Sequence, residues 1–153
     1  MTKLKVAVQM DPIEKMIVNH DTSLALMVEA QSRGHEIWWF TPNDVFYDTG
    51  VVKARAHRVS VSLDESKHYE TLETAVRALN EFDVVLVRQD PPFDMGYVSN
   101  TYLLELVNTL LINPPRGIRN ITEKMSILQF PELTPTTWVG RDTEALEAFA
   151  KRF

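Results

Sequence analysis

Polar side chains followed by proline end three of the predicted strands. These side chains are Asp11, Asp90 and Asn113. If the strands are parallel, their carboxyl ends meet at one edge of the sheet, which is where α/β proteins bind ligands. Arg88, two residues before Asp90, joins them there. We therefore predict a crevice with two carboxylates, an amide and a guanidinium, suited to a small molecule that carries amino or carboxylate groups.

Each of these side chains also has a purely structural interpretation. Asp11 and Asp90 can accept hydrogen bonds from nearby backbone N–H groups, as aspartates do in Asx-turns. Arg88 can form an ion pair with either aspartate, or it can grip a substrate carboxylate through two parallel hydrogen bonds. The shared position of the three strand exits favours a ligand site over three unrelated turns.

The strand that carries Arg88 is the clearest element in the chain. Val84–Val87 is a short continuous apolar run, which is typical of a strand buried on both faces of a parallel sheet. Pro91 and Pro92 then prevent further ladder hydrogen bonds. Arg88 and Asp90 are therefore predicted at the carboxyl end of a buried strand.

The first forty residues predict a strand, a helix and a second strand. Apolar residues alternate with other residues over 4–10, and 37–40 is a run of large apolar side chains stopped by a Thr-Pro pair. Asp21 is a suitable helix cap, and Gly34 a suitable residue just after the helix. Trp38 and Trp39 are predicted to face opposite sides of the sheet as core residues. This order is a βαβ unit with parallel pairing.

The middle of the chain is harder to interpret. Residues 51–63 contain two alternating stretches separated by His57-Arg58, which predicts one or two short extended segments at an edge. Apolar residues at 69, 72, 76 and 79 recur at helical spacing and predict a helix before the central strand. A further helix, capped near Ser99-Asn100, is indicated by apolar residues from 103 to 110. Residues 111–112 predict a short strand.

The last part of the chain is predicted to form short, separate elements of secondary structure. Residues 123–130 suggest a short helix, 136–139 an extended piece, and Asp142 the cap of a terminal helix with Phe149 and Phe153 on its apolar face. We expect a partner for that face in sequence beyond this chain. A Pro/Gly-marked stretch at 116–122 separates this part, and we predict domains at 1–118 and 119–153.

Composition excludes several function classes. The 153 residues are 44% hydrophobic and 24% charged, as in a globular domain. A net charge of −5 without a basic cluster argues against a nucleic-acid partner, and no apolar run reaches the ~20 residues of a membrane span. The absence of cysteine excludes disulfides and thiol catalysis and fits a cytoplasmic location. The four histidines show no metal-binding spacing.

Residues 88–94, RQDPPFD, resemble the signature of bacterial glutathione synthetases, in which a strand of the amino-terminal domain leads into this loop. The motif is specific because it has seven positions and two prolines. The resemblance extends over nearly the whole chain. It includes residues 9–13 (QMDPI), 26–35 (LMVEAQSRGH), and the pairs Asn113-Pro114, Arg119-Asn120 and Glu123-Lys124.

This resemblance implies ATP- and Mg²⁺-dependent ligation of γ-glutamylcysteine to glycine through an acyl phosphate. Arg88 and Asp90 match the family's substrate-side loop, and Asp11 matches its first strand exit. Lys124 matches a lysine that contacts ATP phosphate, although by its pattern alone it is a helix surface lysine. No residue is predicted as catalytic or as a metal ligand, because those groups would lie beyond Phe153.

We thus predict an α/β, Rossmann-like domain of the pre-ATP-grasp kind, with a parallel sheet and helices on both faces, plus the start of a second region. The family's enzymes are much longer, so the chain is expected to stop before the ATP-grasp portion and to be inactive alone. A homo-oligomeric parent protein is expected. Two alternatives remain open: a non-catalytic binding or interaction module, and a related carboxylate–amine ligase with another substrate.

Overall fold

The fold is known from a computed structural model that describes residues 2–122 and 124–152. Cα packing divides the chain into an N-terminal unit, Met1–Asn120, and a C-terminal unit, Ile121–Phe153. The described residues of the N-terminal unit form seven strands: β1 Lys5–Gln9, β2 Glu36–Phe40, β3 Val45–Asp48, β4 Val51–Val61, β5 Tyr69–Ala78, β6 Val84–Val87 and β7 Leu110–Ile112. Three helices accompany them: α1 Thr22–Ser32, α2 Met95–Glu105 and α3 Pro115–Asn120.

Four of the strands form the parallel part of the sheet, in the order β2-β1-β6-β7. In the centre, β1 pairs with β2 on one side and with β6 on the other. The carboxyl ends of β1 and β6 are therefore adjacent, because Gln9 is in register with Val87. The βαβ opening and the buried central strand predicted from the sequence are confirmed.

Both faces of the sheet are covered, which confirms the predicted α/β class. On one face α1 packs through Leu24 and Met27, and on the other α2 packs through Leu104. Trp38 and Trp39 enter these opposite cores, as alternation along a strand requires. We call these surfaces the α1 face and the α2 face.

The sheet is mixed rather than wholly parallel, because β3, β4 and β5 extend it by antiparallel pairing. Here the prediction of short edge segments is wrong: 51–61 is one long strand with partners on both sides. Register shifts between Arg58 and Val59. Before that irregularity Val52 and Ala54 are buried in the α2-face core, and after it Val59 and Val61 are buried in the α1-face core. The break in the sequence pattern marks this exchange of buried face.

The predicted helix at 69–79 is also wrong, because these residues form β5. Leu72 and Val76 are four positions apart, and that spacing puts two residues on one side of a helix and equally on one face of a strand. Both side chains are about half exposed. Pairing with β4 along almost its whole length decides the outcome, and such long-range pairing is invisible to local periodicity.

Helix ends follow their capping residues. The Asp21 side chain accepts hydrogen bonds from the backbone N–H groups of Ser23 and Leu24, and Gly34 has a positive φ of 84°, so both ends of α1 agree with prediction. The helix predicted from Ser99 begins earlier, since Asp94 caps it by accepting from Tyr97 N–H. It ends at Glu105, and Leu110, which the apolar spacing placed on this helix, is the first residue of β7.

The C-terminal unit contains short helical turns and α4, Thr143–Ala150. Asp142 caps α4 by accepting hydrogen bonds from Glu144 N–H and Ala145 N–H, as predicted. Instead of a helix at 123–130 there is a 3₁₀ turn at Ser126–Gln129, with Glu123 outside the described residues. Residues 136–139 form no strand. Phe153, predicted on the apolar face of the terminal helix, also lies outside the described residues.

Candidate functional site

A polar cleft of about 410 Å³ lies at the carboxyl edge of the sheet, on the α1 face. Three segments form it: the chain that leaves β1, the first turn of α1, and the chain that leaves β6. We call it the Arg88 cleft. Its lining residues are Met10, Asp11, Pro12, Lys15, Met16, His20, Asp21, Thr22, Ser23, Arg88 and Asp90. Three of the four residues predicted for a crevice, Arg88, Asp90 and Asp11, thus meet here.

Arg88 is held at both its backbone and its side chain. Its N–H continues the parallel ladder by donating to the Gln9 carbonyl at 2.8 Å. Its guanidinium donates from Nη2 to Thr22 Oγ1 at 2.5 Å and from Nε to Ser23 Oγ at 3.3 Å. The side chain is half-buried. These contacts hold the guanidinium in the cleft through Nε and Nη2.

No ion pair to Asp11 or Asp90 holds this guanidinium within the described chain. A cation beside the first turn of α1 opposes the helix dipole, whose positive end lies there. The Asp21 cap offsets that repulsion, and Asp11 and Asp90 add negative charge to the same cleft. Arg88 is therefore oriented by hydroxyl groups rather than neutralised by one bound carboxylate.

The surroundings of Asp11 in the cleft change its pKa. Burial raises the pKa of Asp11 above its ordinary value, and repulsion from Asp90 and Asp21 raises it further, whereas Lys15 lowers it. An ammonium group of a ligand would reverse this repulsion. Together with Arg88, the cleft thus offers separate places for an anionic and a cationic group.

Tyr97 is a neighbour of the cleft's charges that the sequence analysis missed. It lies in the first turn of α2, and its hydroxyl donates to the Gln89 carbonyl at 3.3 Å. Burial raises the pKa of Tyr97; Asp90 and Asp11 raise it too, while Arg88 lowers it. The Asp94 cap signal could have located this residue, because it starts the helix directly after the RQDPPFD loop.

Thr22 and Ser23 were also missed as site residues. In the sequence they look like ordinary first-turn residues after a capping aspartate, which they also are. Their second role depends on β6 lying beside β1, which brings Arg88 to the start of α1 over a separation of 65 and 66 residues. No local pattern could have indicated that contact.

The structure does not bring the fourth predicted crevice residue, Asn113, into the cleft's lining. Asn113 is exposed and follows β7, at the same edge of the sheet but beyond β6. Lys124 is an exposed residue of the C-terminal unit. Both assignments stay predictions.

Metal binding was tested against the side chains present. Within residues 2–122 and 124–152, no three or more His, Asp or Glu side chains are grouped so that they could hold a metal ion. The described part of the chain therefore does not fit a Mg²⁺ site by itself.

Among residues 2–122 and 124–152, none of the helices has the length and apolar character that a membrane span requires.

Comparison with known proteins agrees with the family resemblance that the RQDPPFD motif indicates. The family model of the prokaryotic glutathione synthetase N-terminal domain matches residues 4–119. Glutathione synthetase of Brucella melitensis biotype 1 is 43% identical over 152 residues, which are 98% of this chain and 49% of that protein. The corresponding figures are 42%, 99% and 49% for glutathione synthetase of Mesorhizobium japonicum, and 42%, 95% and 47% for that of Vibrio vulnificus YJ016.

The chain thus spans about half the length of the curated relatives that it matches. The matched region contains the whole sheet and every segment that lines the Arg88 cleft. On this evidence, the chain belongs to the prokaryotic glutathione synthetase family and carries its N-terminal domain.

Proposed function

We propose that this chain is the N-terminal part of a glutathione synthetase, the ATP-dependent ligase that joins γ-glutamylcysteine to glycine. In that reaction the cysteinyl carboxylate takes the terminal phosphoryl group of ATP, and the glycine amine then displaces phosphate to form the amide. We propose that the N-terminal unit supplies part of the substrate-binding surface rather than the reacting groups.

The observation that carries this proposal is the orientation of Arg88 by Thr22 and Ser23. A guanidinium held in this way is ready to bind a carboxylate without losing much side-chain entropy. Asp11 and Asp90 provide negative charge for an ammonium group in the same cleft. γ-Glutamylcysteine has one ammonium and two carboxylate groups, so its charges complement those of the cleft.

ATP and Mg²⁺ are the cofactors that the family implies. The described residues do not fit a magnesium site, so we derive no step that depends on the metal. For ATP we propose only that Lys124 contacts a phosphate, and that the second domain begins near residue 119 as the first elements of an ATP-grasp region. Because the chain spans about half of its relatives, we expect it to bind substrate without turning it over.

NMR titration of the 153-residue chain with γ-glutamylcysteine tests the binding proposal. We expect chemical-shift changes to cluster at Asp11, Thr22, Ser23 and Arg88. Arg88→Met should abolish them, whereas Arg33→Met should not, since Arg33 is an exposed arginine paired with Glu29. Shift changes elsewhere, or none at millimolar dipeptide, would contradict the assignment of this cleft.

The two alternatives predict different results. A related ligase with another substrate would bind a different amino- or carboxylate-bearing compound in the same cleft, still dependent on Arg88. A non-catalytic module would bind no ligase substrate even as part of the longer protein. Phosphate release with ATP, γ-glutamylcysteine and glycine, measured on the longer protein and on this chain, separates these cases.

A further inference from the structure

Two buried amide side chains and the buried side-chain oxygen of a third amide lie on the α2 face at the carboxyl edge, across the sheet from the Arg88 cleft. Gln9 is 0% exposed and Asn100 is 7% exposed. In each, both the amide oxygen and the amide nitrogen are buried without a hydrogen-bond partner among the described residues. The same holds for the side-chain oxygen of Gln89. None of these amides belongs to the lining of the Arg88 cleft.

The fold places all three amides near the carboxyl edge of the sheet. Gln9 is on the same face of β1 as Ala7, two residues or about 6.6 Å further along the strand. Ala7 shares a core with Leu104 of α2, and Asn100 lies one turn before Leu104, about 6 Å along the helix. Since α2 starts at the carboxyl edge, both displacements lead toward that edge. Gln89 lies on the α2 face as well, because successive side chains of an extended chain alternate between faces and the preceding side chain, Arg88, is on the α1 face.

Five buried polar atoms without partners would be very costly. Each such atom costs free energy of the same order as the net gain from one or more hydrogen bonds, and five together approach the whole stability of a domain. The amides make no direct hydrogen bond with one another. A bridging group that both donates and accepts can satisfy several of them at once, and buried water typically makes about three such bonds.

We propose that Gln9, Asn100 and Gln89 form a buried hydration site, in which one or two ordered water molecules bridge the three amides. The site joins β1, α2 and the chain that leaves β6. Gln89 lies between Arg88 and Asp90, so this bridge fastens the α2 side of the same segment whose α1 side is fastened by Thr22 and Ser23. Tyr97 adds a direct bond to the Gln89 carbonyl on the same segment.

The first test is made on the unmodified chain. Water–protein NOE and ROE spectra should show long-lived water cross-peaks to the side-chain NH₂ protons of Gln9 and Asn100. As a control, the exposed amide Asn19 should show only exchange with bulk water. Absence of long-lived water at both amides, or a crystal structure with direct amide–amide bonds and no water between them, would overturn the proposal.

The second test is a double-mutant cycle with Gln9→Met and Asn100→Leu, which keep volume and remove the polar groups. Each single variant should lower the folding equilibrium constant roughly 5- to 150-fold, because it leaves the other members incompletely bonded. The double variant should lose less than the product of the two single losses, and it should lose the long-lived water signal. Independent, multiplicative losses with an unchanged water signal would overturn the proposal.

Discussion

The parallel and antiparallel parts of the sheet differ in how strongly local sequence specifies them. In the parallel part, β2 and β6 are short and largely apolar runs, and side chains such as Phe40 and Val85 are fully buried. In the antiparallel part, β5 has no fully buried residue, and its apolar side chains Leu72 and Val76 are about half exposed. The comparison shows that burial on two faces produces a recognisable pattern, whereas a strand held mainly by one neighbour does not.

The candidate site follows the same division. Every strand exit that lines the Arg88 cleft belongs to the parallel part. The antiparallel part contributes core residues and surface ion pairs, such as those of Glu73 with Arg58 and Arg77. Each pair involves side chains that are more than a third exposed, so it contributes little to stability.

The largest effect is expected when a buried side chain of the parallel part is truncated and compared with an exposed side chain of the antiparallel part. Phe40→Ala removes a fully buried ring from β2 and should lower the free energy of unfolding by about 3–5 kcal/mol. Leu72→Ala on β5 removes a side chain that is 52% exposed and should change it by less than about 0.5 kcal/mol. Urea unfolding followed by circular dichroism measures both. Equal losses would mean that the antiparallel part is as tightly packed as the parallel part.

Arg88→Lys tests the cleft of the parallel part, and it requires a synthetase that carries this chain. Lysine keeps the charge but loses the planar fork, so losing a charge-assisted bond of about 1.5–3 kcal/mol should lower kcat/KM for γ-glutamylcysteine roughly ten- to a hundred-fold. Arg55→Lys, at an exposed position of β4, is the control and should leave kinetics unchanged. If Arg88→Lys lowers the thermal midpoint strongly while kinetics at low temperature stay normal, Arg88 is a structural residue instead.

The cap of α1 gives a smaller effect. Asp21→Ala removes two hydrogen bonds to backbone N–H groups and one of the three carboxylates near Arg88, so we expect a loss of about 1 kcal/mol or slightly more. Asp48→Ala on β3 breaks a surface pair with Lys53 and should cost less stability than Asp21→Ala. Thermal unfolding of both variants at one pH makes the comparison. A larger loss from Asp48→Ala would contradict this ranking.

The smallest expected effect is on the pH dependence of stability, to which one aspartate in each part contributes. The pKa of Asp11 is raised by burial and by Asp90, so the folded state binds its proton more tightly than the unfolded state. Its contribution to stability is present below the ordinary pKa of 3.8 and is lost as pH rises through the folded pKa. The pKa of Asp48 is lowered by hydrogen bonds from Lys53 and Thr49, so its contribution is present above 3.8 and is lost as pH falls through the folded pKa.

Asp11→Asn and Asp48→Asn should therefore change the slope of unfolding free energy against pH in opposite directions in the acidic range. Urea unfolding at a series of pH values measures the slopes. The exposed residue Asp64 has a pKa lowered like that of Asp48, by hydrogen bonds from Ser66. Asp64→Asn is thus a control for the sign of the Asp48 effect. Slopes that change in the same direction for Asp11 and Asp48 would contradict the raised pKa of Asp11.

Local sequence patterns were enough to predict the parallel α/β part of the fold, the helix ends at Asp21 and Gly34, and, through RQDPPFD, the family. It also indicated that Arg88, Asp90 and Asp11 would meet, because strand exits in parallel sheets share an edge. These conclusions depend on patterns within about fifteen residues, where apolar periodicity and capping act.

Long-range packing determines the pairing of β4 with β5 and the contacts of Arg88 with Thr22 and Ser23. It also determines which buried amides lie without partners on the α2 face. The physical reason is common to all three. Residues 69–78 become a strand because a partner strand satisfies their backbone groups, and Arg88 is oriented by hydroxyl groups more than 60 positions away. Chain topology brings such partners together, and the local pattern of apolar residues does not specify that topology.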